Sequence, residues 1–148
     1  MYAPHTVTIY NIIRETDFES ITDTEQVGVT VLRGVMLQAD CKVRAHEPGL
    51  ADNSSVTLYI PQNAIAENGE TGLPETFVDP STYMEAADKS GMWTLSVKSG
   101  SIETLIVKGE STEDVNTLRN GENCWKVTGV ALKDFGSAGM QHWEVQGA

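Results

Sequence analysis

Positive charge is scarce in this chain. Its 148 residues include 10 Lys and Arg against 21 Asp and Glu, a net charge of −11. Tight binding to nucleic acid through phosphates needs clustered Lys and Arg, so that class of function is excluded. A negative surface also serves solubility alone, and by itself says nothing more. Cysteine is equally scarce, with only Cys41 and Cys124 present. There is no CxxC pair, which leaves neither a disulfide scaffold nor a cysteine-based zinc site. Both cysteines lie in apolar, strand-like stretches (LQADCKV and ENCWKV), where a free cysteine behaves as a small buried hydrophobe. Reduced thiols in a cytosolic setting are expected, with a buried bridge as the alternative.

Long apolar runs are missing too. No stretch approaches the roughly 18 apolar residues of a membrane span. The opening MYAPHTVTIYNIIRETD has neither a basic leader nor an apolar run of signal length, so synthesis and use in a cytoplasm are expected. Catalytic signatures are likewise absent. None of the three histidines, His5, His46 and His142, sits three or four residues from another histidine or a cysteine in metal-ligand spacing. His46 with Glu47 reads as a solvated loop pair, and His142 as a polar-face strand residue. There is no GxSxG elbow, no GxxxxGK[ST] or GxGxxG phosphate loop, and no aromatic–basic platform for single strands. No enzymatic activity, metal or cofactor is expected.

What is present suits one globular domain over residues 1–148. The chain is 40% hydrophobic and 21% charged, and a chain of this length buries roughly 70% of its unfolded surface without staples. The dominant pattern is the two-residue alternation of half-buried strands. It runs through 5–13 (HTVTIYNII), through 26–36 (QVGVTVLRGVM, with Val27, Val29 and Val31 on one face and Val35 rejoining it) and through 37–45 (LQADCKVRA). Gly34 marks a bulge or close approach. Two strands with a turn near 34–38 are predicted, and one long, bent strand is the alternative. Residues 46–53 (HEPGLADN) read as a turn-rich connector.

Residues 54–60 (SSVTLYI) alternate cleanly until Pro61 ends them. Residues 92–97 and 101–108 read as a hairpin, and 124–132 and 140–145 as the last two strands. Asp79-Pro80 predicts a short helix capped by Asp79. Ser111 predicts a second, with Asp114 at its third position. Trp93, Trp125 and Trp143 all fall in predicted strands and are expected in the core or a subunit interface. The fold class is therefore mainly β: a small antiparallel barrel or sandwich of about eight strands, with one or two short helices. Long loops are expected at 14–26, where periodicity vanishes among acidic residues, and at 61–91.

The order of motifs carries a resemblance. HTVTIYN opens the chain, followed by VLRGVM, SSVTLYIP, FVDP, DKSGMWTL and IVKGE, with KDFGSAGMQHWEV at the close. This resembles a group of small proteins encoded in the structural-gene clusters of siphophages and prophages of Gram-positive bacteria, labelled minor capsid or head-tail joining proteins. The resemblance spans nearly the whole chain, and it implies a part of the virion neck, assembled in the bacterial host's cytoplasm. The best fit is a stopper, or head-closure, subunit: a β-barrel with a long loop toward the channel, repeated in a ring that is expected to be hexameric.

Its implied partners are further copies of itself, the portal–adaptor assembly and tail proteins, with no membrane. DNA would pass through without being tightly bound, and the ring would help retain it. The family has no catalytic residues to transfer. The residues that would line the channel or join subunits are Glu15, Asp17, Glu19 and Asp23 of the first loop, and Glu67, Glu70, Glu75 and Asp79 of the second. An acidic wall that repels phosphate suits such a channel. A tail terminator or other tail-associated protein is the alternative within this class, and a monomeric β-sandwich binding module, for sugar or peptide, lies outside it.

Overall fold

The computed structural model describes residues 3–17, 22–46, 49–97 and 102–148, with side chains throughout them except at 15–17, 22–24, 40–46 and 49–54. Nine strands run through these residues: β1 (His5–Asp17), β2 (Thr22–His46), β3 (Gly49–Pro61), β4 (Ile65–Asn68), β5 (Thr76–Phe77), β6 (Met92–Trp93), β7 (Ile102–Lys108), β8 (Cys124–Lys133) and β9 (His142–Gly147). Two short helices, α1 (Pro80–Glu85) and α2 (Val115–Arg119), and a 3-10 turn at Ala138–Met140 complete them. The mainly β, antiparallel expectation holds. Of the two architectures expected, the fold is sandwich-like rather than a closed barrel.

One layer is built from β1, the first half of β2, β4, β7 and the start of β8; the other from the rest of β2, β3, β9 and the rest of β8. The strand order is β1-β7-β8-β9-β3-β2-β4, with β1 also paired to β2. Two strands, β2 and β8, pass from one layer to the other. In β2 the corner falls at Gly34. His5 faces Val35 but Thr6 faces Arg33, so Gly34 has no partner on β1 and adopts φ +79°. That is a glycine bulge, which bends a strand and sharpens its twist. In β8 the register slips between Val127 and Gly129, opposite β9. β2 is thus the single bent strand, not two strands with a turn.

The bulge also corrects the phase of the sequence pattern. Val27 and Val29 lie opposite Ile12 and Tyr10 of β1, on the outer face of the first layer, whereas Leu32 lies opposite Val7 on the inner face. The unpaired Gly34 then brings Val35 to the inner side, into the main core with Val7, Ile9, Leu32, Leu58, Ile106 and Val145. Gly34→Val places a β-branched side chain at positive φ, a change that costs about 1–2 kcal/mol from the backbone alone. A urea midpoint lowered by this amount is the expected result. An unchanged midpoint would show that the bend does not depend on glycine.

The outer face of the first layer is apolar as well. Tyr10, Ile12, Leu105 and Val107 form a second cluster, roofed by Val115 and Leu118 of α2. This explains why β1 reads IYNII: Ile9 packs inward while Tyr10 and Ile12 pack outward. The three tryptophans fill the core as expected. Trp93 and Trp125 are buried, and Trp143 packs against them half-buried.

Four other expectations change. The acidic stretch 14–26 is not a loop over its described residues: Arg14 pairs with Glu25, Glu15 with Thr24, Thr16 with Asp23 and Asp17 with Thr22. These strand ends extend past β7, whose pairing with β1 stops at Ile13. The connector at 46–53 is mostly strand, since His46 already faces Gly49; Glu47 and Pro48 lie outside the described residues. The 61–91 loop is a folded flap holding β4, β5 and α1. Finally, β6 pairs in parallel with β5, and the hairpin expected between 92–97 and 101–108 is not formed by their described residues.

Candidate functional site

The residues singled out from sequence do not converge. Glu15, Asp17 and Asp23 lie on the paired ends of β1 and β2, and Glu19 is outside the described residues. Glu67, on β4, meets Arg33 at 3.6 Å, and Arg33 also pairs with Glu110. Asp79 caps α1, accepting from the Thr82 amide (2.8 Å) and the Ser81 hydroxyl (2.7 Å). Those bonds, the Ser81 hydroxyl foremost, hold its carboxyl below the usual range.

Glu75 is half-buried where the flap meets β2. It accepts from the Thr30 hydroxyl and from Asn68 Nδ2 (3.3 Å). Burial raises its pKa, and the two hydrogen bonds only partly oppose that. The folded state therefore binds this proton more readily than the unfolded chain does. Stability contributed by Glu75 falls as pH rises through the window above 4.5, its ordinary value. Asp79 and Asp114 act in the opposite sense, below 3.8. Glu75→Gln is expected to flatten the slope of urea midpoint against pH in the upper window and leave the lower one unchanged. An identical slope in wild type and variant would refute this assignment.

Glu70 joins the larger of two features, since Glu75 lines a separate cavity of about 210 Å³ with Tyr83 and Lys89. A cleft of about 630 Å³ opens on the outer face of the first layer, lined by Tyr10, Val27 and Val29 below, Gly69 and Glu70 on one side, Glu25 at one end and residues 111–116 opposite. Its size is that of a ligand pocket. Local bonds fix each wall. The Gly69 amide donates to the Val29 carbonyl at 2.9 Å, and a Cβ at Gly69 would lie 2.6 Å from Val29 Cγ1, so glycine permits the close approach. Opposite, the Thr8 hydroxyl donates to the Gly109 carbonyl (2.7 Å) and accepts from the Ser111 amide (3.0 Å).

Tyr10 secures the same wall. Its hydroxyl donates to the Glu113 carbonyl at 3.1 Å and meets the Ser111 hydroxyl at the same distance. Burial raises its pKa, so it stays a neutral phenol. Asp114, not Ser111, caps α2: it accepts from the Asn116 and Thr117 amides (2.7 and 3.2 Å) and the Thr117 hydroxyl (3.0 Å). The Thr117 amide, first among these, holds its carboxyl below the usual range.

The rim thus carries Glu25, Glu70, Glu113 and Asp114, and no Lys or Arg lines the cleft among the described residues. Glu25 is itself bonded to Arg14 at 3.2 Å. The floor holds Val27, 41% exposed despite its place in a strand. An apolar floor under a ring of carboxylates suits a cationic ligand with an apolar part. Sequence reading missed Glu25, Val27, Val29, Glu113 and Asp114 as a group, because only pairing and the flap bring them together.

No group of three or more His, Cys, Asp and Glu is placed to hold a metal among the described residues. His5 Nδ1 accepts from the Leu37 amide, and His142 lies against the Tyr59 ring at 5.8 Å. Cys124 carries a free thiol, half-buried beside the outer cluster, and burial raises its pKa. The Cys41 side chain lies outside the described residues. No helix among the described residues is long and apolar enough to cross a membrane.

Fold and cleft define an antiparallel β-sandwich domain with an acid-rimmed surface cleft. The chain belongs to DUF6751, a family of unknown function, whose model matches residues 2–148. No curated protein and no solved structure matches it.

Proposed function

We propose that this protein is a non-catalytic structural subunit of a tailed-phage virion neck, a head-tail connector ring of the stopper, or head-closure, type. The order of sequence motifs suggests the class, and the carrying structural observation is the pair of two-stranded ribbons that leave the sandwich. One is the end of β1 with the start of β2. The other is the end of β2 with the start of β3, from Asp40 opposite Ser55 to His46 opposite Gly49, beyond the reach of β9, which pairs β3 only from Val56. Ring subunits make head-to-tail contacts in which an extended element of one copy reaches the next. The net charge of −11 suits a wall past which DNA moves without sticking. In this reading the ring joins the portal–adaptor to the tail and retains DNA.

The test is imaging of particles from a host that carries the structural-gene cluster. Density for six or twelve copies below the portal supports the reading, and particles lacking the chain refute it. Density at the tail side of the neck would move the assignment to a tail terminator. A second reading, a monomeric binding module, is favoured by the cleft alone. A monomer that binds a cationic peptide or sugar and is absent from particles would establish it.

A further inference from the structure

We infer that the cavity between the flap and the β1–β2 pair is a binding site for a small zwitterion, a free aliphatic amino acid. The cavity measures about 210 Å³, with Ile13, Val27 and Gly28 of the strands on one side and Glu75, Tyr83 and Lys89 of the flap on the other. One water takes up about 30 Å³ in the liquid, so the space exceeds that of a single bridging water. It is smaller than the roughly 300–1,000 Å³ of pockets for drug-sized ligands. A molecule of a few non-hydrogen atoms suits it. The inference does not depend on the neck reading above.

The first ground is an acid and a base that share the cavity without meeting. Among the described residues, Glu75 and Lys89 supply its carboxylate and its ammonium, and neither forms an ion pair. Their own bonds hold them apart. The Glu75 carboxyl accepts from the Thr30 hydroxyl and from Asn68 Nδ2. Lys89 Nζ donates to the Ala86 carbonyl at 2.6 Å and lies 5.7 Å from the centre of the Tyr83 ring. An ammonium has three donors, so Lys89 keeps two for a ligand. A carboxyl half-buried without a cation beside it is penalised when charged. A molecule that carries both charges answers both groups, its ammonium against Glu75 and its carboxylate against Lys89.

The second ground is a hydroxyl without a partner. Tyr83 is only 3% exposed, and its hydroxyl makes no hydrogen bond among the described residues. Buried polar groups are paired in the great majority of cases, and an exception calls for an explanation. The hydroxyl lies against Gly28, where a Cβ would sit 2.5 Å from it. Gly28 and Tyr83 both line the cavity, so the hydroxyl opens on it as a donor or an acceptor. The remaining wall supplies the apolar contact. Ile13, Val27 and Met92 line the same space and suit a short aliphatic side chain. A few placed polar groups on an apolar wall are the usual make-up of a small-molecule site.

Alanine is the probe, titrated into the full-length protein while heteronuclear NMR follows the amides of Gly28, Tyr83 and Lys89. Lactate replaces its ammonium with a hydroxyl, and isopropylamine replaces its carboxylate with a methyl, at nearly the same size. Alanine is expected to shift these amides saturably. Each analogue should bind about tenfold more weakly or worse, the loss of one charged hydrogen bond. Glu75→Gln and Lys89→Met should each lose about tenfold in alanine affinity for the same reason, and Tyr83→Phe should lose less. Far-UV circular dichroism and urea midpoints confirm the fold of each variant. Alanine, but not lactate, should also raise the urea midpoint of wild type, since it binds the folded state alone.

The inference is overturned if alanine gives no saturable shift, which is the result for a cavity that holds only water. Analogues that bind as well as alanine overturn it too, as does an affinity unchanged in Lys89→Met. The neck reading stands or falls separately, on the particle images.

Discussion

Replacing Asn11 with leucine is expected to destabilise the fold by about 2–4 kcal/mol, because it strands two buried polar groups, each costing about 1–3 kcal/mol. Asn11 is 1% exposed and lies on the inner side of β1. Its amide donates to the Thr94 carbonyl at 3.0 Å, and its oxygen accepts from the Thr104 hydroxyl at 2.7 Å. Thr104 in turn accepts from the Ser96 amide at 3.0 Å. These bonds tie residues 94–96, which belong to no strand, to β1 and β7.

Leucine fills similar volume and cannot make either bond. The Thr94 hydroxyl, buried in the same segment, has no hydrogen-bond partner among the described residues. Urea unfolding with an unchanged m-value measures the loss. Thr94→Val is the contrasting control: it leaves the Thr94 carbonyl and the Asn11 bonds in place, and its midpoint should fall by less than that of Asn11→Leu. A stable Asn11→Leu protein would show that the network is incidental.

Trp93→Ala is expected to be the most damaging single change, at about 3–5 kcal/mol, the range for emptying a buried aromatic site. Against a total of about 5–15 kcal/mol for a domain, this lowers Tm on the order of 10 °C. Trp93 is buried in the main core. Its ring meets Phe77 edge-on at 5.1 Å, and Phe77 contacts Trp143 at the same distance. Its carbonyl accepts from the Val78 amide at 2.9 Å, which holds β5 beside β6.

The side chain thus serves the sandwich and the flap together. Its loss should loosen residues 61–91 before the rest. Calorimetry reads the global loss, and limited proteolysis reads early cleavage in the flap. Trp93→Phe keeps an aromatic edge and should lose less. A Trp93→Ala protein within about 1 kcal/mol of wild type would mean that the flap docks by other contacts.

Much of this architecture was legible in the sequence because it rests on local rules. Alternation in HTVTIYNII and SSVTLYI gave two strands, since a half-buried strand must repeat every two residues. Asp79-Pro80 announced α1, because a capping carboxylate and a proline at the first turn are both local in their physics. The lone glycine in VLRGVM pointed to a bulge for a like reason: only glycine takes a positive φ without penalty.

Other features could not be read this way. The acidic stretch 14–26 looked like a loop because it has no apolar alternation, whereas its strand pairing is made by backbone bonds that leave no mark in the sequence. Ser111 looked like the cap of α2 because Ser-x-x-Asp mimics a capping box. The Ser111 amide and hydroxyl are instead committed to β1, at Thr8 and Tyr10, and the cap passes to Asp114.

By itself, then, the sequence determined an acidic, mainly β chain with a break in pattern at Gly34, two short helices and no metal or nucleophile motif. Those follow from composition and from neighbours within a few residues. The tertiary structure alone decided which face of each strand is inside, since the unpaired Gly34 shifts β2 by one residue and exchanges its faces. It also decided that Val27, Glu25, Glu70, Glu113 and Asp114 share one cleft. Those residues come from three separate stretches of chain, and only the pairing of β1 with β2, the Gly69–Val29 bond and the Tyr10 hydroxyl bring them together.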